Sequence, residues 1–174
     1  MSSSHPSARP HWTPAGTLLL GIAHDALPLP EPSLRLDGIE FTRKRELHAT
    51  IVGHALGSRL RRAIAGDAGM RAAVDAAIAA RDWRWRRCRE WALLERHEGD
   101  RCRHSVIERI DLPAMADFHR RIGELLGDVL QVPPAHVTLY TAGGPKGIGV
   151  PDEATLARLR VRTLDAAELQ GVVR

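Results

Sequence analysis

Three features of the amino-acid sequence predict an α+β fold. Short segments in which apolar and polar residues alternate occur near the start, the middle and the end of the chain. Two longer stretches with helical spacing separate them, and a pair of strand-like runs meets at Glu98-Gly99-Asp100, a plausible hairpin turn. The 174 residues suffice for one domain with a real core, and 44% hydrophobic with 26% charged residues is a globular composition. Wholesale disorder, a collagen-like chain and a coiled coil are excluded.

Taken in order, Met1 to Pro14 is rich in Ser, Pro and His and reads as a flexible leader, which leaves residues 15–174 as a single domain. Thr17 to Ala23 is an apolar run of strand length, and Leu27 to Pro32 is a proline-broken loop. Gly38 to Arg43 and Glu46 to Val52 alternate as strands, the second closed by Gly53. Leu56 to Arg81 has helical spacing, with Gly66 and Gly69 predicted to split it into two helices. Arg84 to His97 and Arg101 to Asp111 form the hairpin. Leu112-Pro113 then starts a helix running to about Leu130 and stopped by Pro133-Pro134. Ala135 to Thr141 is a strand, Gly143 to Gly147 a loop, Asp152 to Arg158 a short helix and Leu159 to Leu164 a last strand.

The formal net charge is +4, and all but two of the cations are arginines, the lysines being Lys44 and Lys146. Arginine suits phosphate recognition through its planar fork, although genome-wide base composition also favours it over lysine. No apolar run approaches the ~20 residues needed to span a bilayer. Two cysteines cannot build a disulfide scaffold, so a reducing, cytoplasmic setting is expected. Cys88 is expected to lie across the hairpin from about Asp111 and not from Cys102.

The informative feature is a weak repeat. His48-Ala49-Thr50 and His136-Val137-Thr138 share one tripeptide pattern, 88 residues apart, each in a predicted strand. Side chains on a strand alternate between its faces. His48 and Thr50 therefore share one face, opposite Leu47, Ala49 and Ile51. His136, Thr138 and Tyr140 share a face opposite Val137 and Leu139. A lone His-x-Thr is ordinarily structural, since Thr is simply a good strand former. Its duplication in two strands favours function.

Such a pair suits phosphodiester cleavage. Attack on phosphorus needs a base to deprotonate water or a hydroxyl, and an acid to protonate the departing oxygen. Histidine, with an ordinary pKa of ~6.5, serves in either role near neutral pH. The threonine hydroxyls can donate to non-bridging phosphoryl oxygens as charge builds there. The scheme requires no metal.

The segments ELHATIVG (Glu46 to Gly53) and PAHVTLYT (Pro134 to Thr141) resemble the two signature strands of the two-histidine phosphoesterase superfamily, which includes 2'-5' RNA ligase and cyclic phosphodiesterase proteins. The resemblance implies a bilobal fold with internal pseudo-twofold symmetry, one motif strand from each lobe meeting at a central cleft. It implies action on RNA ends, 2',3'-cyclic phosphates, 2'-5' linkages or small cyclic nucleotides. Carried over by position, His48 and His136 become the acid and base, and Thr50 and Thr138 the phosphate-binding residues. Ala49 stands where a larger apolar residue is usual, and 84–111 carries no marker of the family.

Tyr140 and Lys146 are further candidates for substrate contact, the first by stacking on a base, the second from a glycine-rich loop that lacks the P-loop pattern. Trp83, Trp85 and Trp91 stand among arginines, a mixture that can bind single-stranded nucleic acid, but packing onto a helix is favoured. His97 and His104 lie near the hairpin, within possible reach of the cleft. No metal site is expected: the remaining histidines are scattered, and neither cysteine has a CxxC partner. The expectation is a monomeric, metal-independent phosphodiesterase acting on RNA-derived 2',3'-cyclic phosphates or 2'-5' phosphodiesters. The alternatives are an RNA- or nucleotide-binding module that keeps the cleft without turnover, and an unrelated α+β protein whose two histidines lie apart.

Overall fold

The computed structural model describes residues 9–29 and 31–170. Most of the predicted leader, residues 1–8, lies outside them. Its described end is a strand: β1 (His11–Trp12) pairs antiparallel with β2 (Leu18–Ile22). The turn between them is closed by Thr13, whose Oγ1 lies 2.7 Å from Thr17 Oγ1, and by Gly16 at φ +81°. That left-handed turn returns the chain onto β2, a local device that Ser/Pro-rich composition conceals.

The fold is α+β, with nine strands and five helices among the described residues. Every strand pairing is antiparallel. The main path through the sheet is β1-β2-β5-β8-β7-β6-β9, where β5 is Leu47–Val52, β6 Arg86–Glu98, β7 Arg101–Asp111, β8 His136–Ala142 and β9 Arg160–Leu164. A side hairpin, β3 (Ser33–Leu36) with β4 (Ile39–Arg43), joins through β4, which takes over pairing with the second half of β8. β3 is not among the predicted strands, because its four residues follow directly on the proline-broken loop and are too few for their alternation to stand out.

Helix α1 (His54–Ile64) starts directly after Gly53, and α2 (Ala68–Ala79) follows. Of the two predicted breakers only Gly66, at φ +80°, breaks the helix. Gly69 sits in the first turn of α2, which Asp67 caps by accepting the Met70 N–H at 2.8 Å. Helix α3 (Ala114–Leu126) ends before Leu130. Gly127 adopts φ +65° and the Asp128 N–H returns to the Gly123 carbonyl, so an αL cap stops the helix ahead of the prolines. Helices α4 (Glu153–Leu159) and α5 (Ala166–Leu169) complete the chain, α5 closed by the Asp165–Glu168 capping box.

Apolar side chains of β2, β5, β7 and β8, among them Leu20, Ile51, Val106 and Val137, form the main core with Leu60, Val74, Phe118 and Ile122 from α1 to α3. A smaller core of Ala92, Leu94, Ile107, Ile148, Val150, Leu156 and Leu159 lies on the other face of the sheet. Helix α1 approaches the first turn closely: a Cβ on Gly57 would stand 1.8 Å from the Gly16 carbonyl oxygen. Backbone cannot yield as a side chain does, so Gly57→Ala is expected to cost about 1–3 kcal/mol, typical of overpacking. A lowered urea midpoint with unchanged m-value would show it.

The predicted hairpin is present, Glu98 pairing with Arg101 around Gly99 at φ +59°. A bulge interrupts it: Arg87 opposes Ile110 but Trp91 opposes Glu108, with Arg89 at φ +57° inside the bulge. Cys102 pairs with His97 on the turn side of the bulge, while Arg86, and not Cys88 as expected, stands opposite Asp111, with Cys88 inside the bulge; both thiols are free. Trp83 and Trp85 are buried in the main core ahead of β6, Trp83 packing edge-on against Phe118 with centroids 5.5 Å apart. No helix among the described residues is long and apolar enough to cross a membrane.

Candidate active site

Strands β5 and β8 are neighbours near the middle of the sheet, joined in register at Ala49 and Val137. Both of these residues point into the main core. By strand alternation the flanking residues point to the other side, with His48 opposite Thr138 and Thr50 opposite His136. The two histidines are thus diagonal partners on one face, about 7 Å apart by ordinary sheet geometry. All four side chains are half-buried and line a single cleft of about 600 Å³.

The His136 Nδ1–H donates to the Pro134 carbonyl at 2.7 Å. This fixes the tautomer and leaves Nε2 as the nitrogen available for proton exchange. Burial pushes the His136 imidazole below its ordinary pKa, opposed by the Pro134 carbonyl and reinforced by Arg109 and by His48. Arg109 opposes His136 on β7 and is itself paired with Glu153 at 2.9 Å. Burial likewise lowers the His48 imidazole, with Lys44 adding to the effect and Glu46 opposing it. Burial thus disfavours the charged form of both imidazoles, and an arriving anion would favour it.

The other two candidates lie elsewhere. β8 carries a bulge, since Thr138 pairs with Ile107 while Tyr140 pairs with the adjacent Val106. The extra residue turns Tyr140 to the core side, where it is 0% exposed and its hydroxyl donates to the Glu31 carbonyl at 3.0 Å. Tyr140 therefore does not reach the cleft, because the strict alternation expected along 136–140 is broken. Lys146 is exposed and lines no part of the cleft. Its loop does reach the site, through Gly147 and Ile148. His97 and His104 sit on the sheet face opposite the cleft, pairing with Cys102 and Glu95.

Other residues complete the walls. Lys44, Arg59 and Arg96 bring positive charge, while Leu56, Leu130, Ile148, Val150 and Pro151 supply apolar surface. Lys44 Nζ donates to the Pro145 carbonyl at 2.7 Å and Arg96 Nη2 to the Gly149 carbonyl at 2.8 Å, so these cations also tether the 145–149 loop. Arg59 is shared with Asp128 at 2.9 Å. In the sequence Arg43, Lys44 and Arg45 precede the first motif, where they could steer anions although a solvated face is the favoured reading, while Arg96 is one of several strand arginines that nothing local marks.

A Cβ on Gly147 would stand 2.7 Å from Thr138 Oγ1. This glycine has an ordinary φ, so its role is close approach rather than backbone freedom. Gly147→Ala is expected to displace the Thr138 side chain, because the three atoms nearest the added Cβ all belong to it. A shifted Thr138 methyl signal by NMR, with an unchanged far-ultraviolet spectrum, would check it.

Compared with protein-family models, with curated proteins and with solved structures, the chain matches none of them.

Proposed function

We propose that this cleft is the active site of a metal-independent phosphodiesterase of the two-histidine type, acting on RNA-derived 2',3'-cyclic phosphates or 2'-5' phosphodiesters. The observation that carries the reading is the β5–β8 register, which gathers two imidazoles and two hydroxyls from distant parts of the chain on one face, around one cleft. A bilobal, pseudo-twofold organisation belongs to the same proposal. Its support is that the two motif strands are neighbours, and that α1 and α2 follow one while α3 precedes the other and packs on the same core.

The chemistry follows from the block. The phosphoryl group sits between the diagonal imidazoles, with Thr50 and Thr138 hydroxyls donating to its non-bridging oxygens. One neutral imidazole takes a proton from water as the water oxygen attacks phosphorus. The other, as imidazolium, gives its proton to the departing ribose oxygen, and a phosphomonoester results. Because the two histidines supply both proton transfers, the scheme needs no Lewis acid. The cleft volume falls within the range for small-molecule sites, and its apolar walls suit a base or sugar while its cations suit phosphate.

The test is incubation of the full chain with a 2',3'-cyclic nucleotide, and separately with a 2'-5' dinucleotide, in EDTA. Steady release of phosphomonoester or cleaved product is expected. RNA affinity without turnover of either would replace the enzyme with a binding module.

A further inference from the structure

The end of the β6–β7 hairpin carries a second two-by-two block, on the face turned away from the cleft. The register sets Glu95 opposite His104 and His97 opposite Cys102. These four side chains share the face of Leu93 and Val106, which are buried in the main core. Glu95 Oε1 lies 2.8 Å from His97 Nε2, and Oε2 lies 2.9 Å from His104 Nε2. Cys102 Sγ is 4.0 Å from His97 Nε2 and 3.7 Å from His104 Nε2. One donor atom each from Glu95, His97 and Cys102 lies within 4.8 Å of the other two.

We propose that Glu95, His97 and Cys102 bind a zinc-like divalent cation at the hairpin end, with His104 holding the second carboxylate oxygen. Tetrahedral zinc, with usual bonds to nitrogen and sulfur, sets those two donors about 3.6 Å apart. The thiol is already near that spacing from both imidazoles, so loading needs only a modest opening of the Glu95–His97 hydrogen bond. Thiolate and imidazole together select zinc-type ions over magnesium or calcium. His104 acts as the outer partner that orients a ligating carboxylate. No CxxC or His-x3-His spacing announces the set, because the ligands come in i, i+2 pairs from two strands and meet only through the register.

Loading would cross-link both strands beside Arg96, which lies between Glu95 and His97 in sequence and faces the cleft. The cation's place is structural, and it stabilises by binding the folded chain alone.

The experiment uses the metal-free full chain titrated with Co2+ and then Zn2+. One equivalent of Co2+ is expected to give a thiolate-to-cobalt charge-transfer band that Zn2+ abolishes, and either metal should raise the melting temperature. Cys102→Ser and His97→Ala, checked for an unchanged far-ultraviolet spectrum, should lose the band. Cys88→Ser and the His48→Ala/His136→Ala pair should keep it. His104→Ala should keep the band with affinity lowered ~10–100-fold. Absence of a band, a band that survives Cys102→Ser, or one lost with the cleft histidines would each overturn the proposal. Turnover in EDTA is independent of this outcome, so the two readings stand or fall separately.

Discussion

Replacing His48 or His136 with alanine is expected to lower turnover of a 2',3'-cyclic nucleotide by ~10²–10⁴-fold, the usual worth of a positioned acid or base. The double variant should be little slower than either single one, because in the proposed mechanism the two rings act as a unit on a single bond cleavage. Thr50→Ala and Thr138→Ala should each cost roughly 10- to 100-fold, as hydrogen bonds to a charged group. The pH profile carries a sign. Both imidazoles are depressed below their ordinary value by burial. The proposed mechanism needs one protonated and one neutral ring in the free protein, so kcat/KM should fall as pH rises through the higher of the pair's apparent pKa values. That alkaline limb should lie below about 6.5, the unperturbed value. Bound phosphate favours the imidazolium, so the alkaline limb of kcat should sit at higher pH than that of kcat/KM. Full activity in either alanine variant would remove the acid–base pairing, and an alkaline limb of kcat/KM at neutral pH or above would contradict the depressed pKa values.

The largest stability effect is expected at Arg87. Glu108 points into the main-core side of the sheet and is 0% exposed. Arg87 Nε and Nη2 each donate to its carboxylate at 2.7 Å, and Trp91 Nε1 donates at 2.9 Å. The β6 bulge is what brings this about, since it offsets Arg87 from Trp91 so that both converge on one carboxylate. Arg87→Ala strands a buried negative charge, and a loss of about 3–5 kcal/mol is expected from urea unfolding. Removing both charges, as in Arg87→Met with Glu108→Leu, should recover most of that loss, because the desolvation cost goes with them. A loss under about 1 kcal/mol in Arg87→Ala would mean that the carboxylate finds water or another donor.

Much of the fold is legible in the residues. An apolar run of strand length marks 18–22, alternation marks 39–43 and 47–52, and Glu98-Gly99-Asp100 marks the hairpin end. The duplicated His-x-Thr pattern points to four of the residues that line the cleft. Two of the misses share a cause, which is irregular pairing. The β8 bulge moves Tyr140 from the expected face and the β6 bulge shifts Cys88 against β7. Each rests on a contact with another segment, and periodicity within one segment cannot report it. The Thr13–Thr17 turn, which makes a strand of what reads as leader, is local and is concealed by composition. Arg59 and Arg96 carry no signal in the sequence, and the Arg43–Arg45 run reads as a solvated face, because cations from separate segments become cleft walls only when the chain closes.

By itself, the order of residues determined most of the strands and helices and which side of each His-x-Thr tripeptide is apolar, because those depend on spacing along one segment. Only the tertiary structure decided that β5 and β8 pair at Ala49 and Val137, and that Glu95, His97 and Cys102 meet across the hairpin. Register is a relation between two segments, set by the apolar faces they jointly bury, and a shift of one residue would turn either histidine into the core.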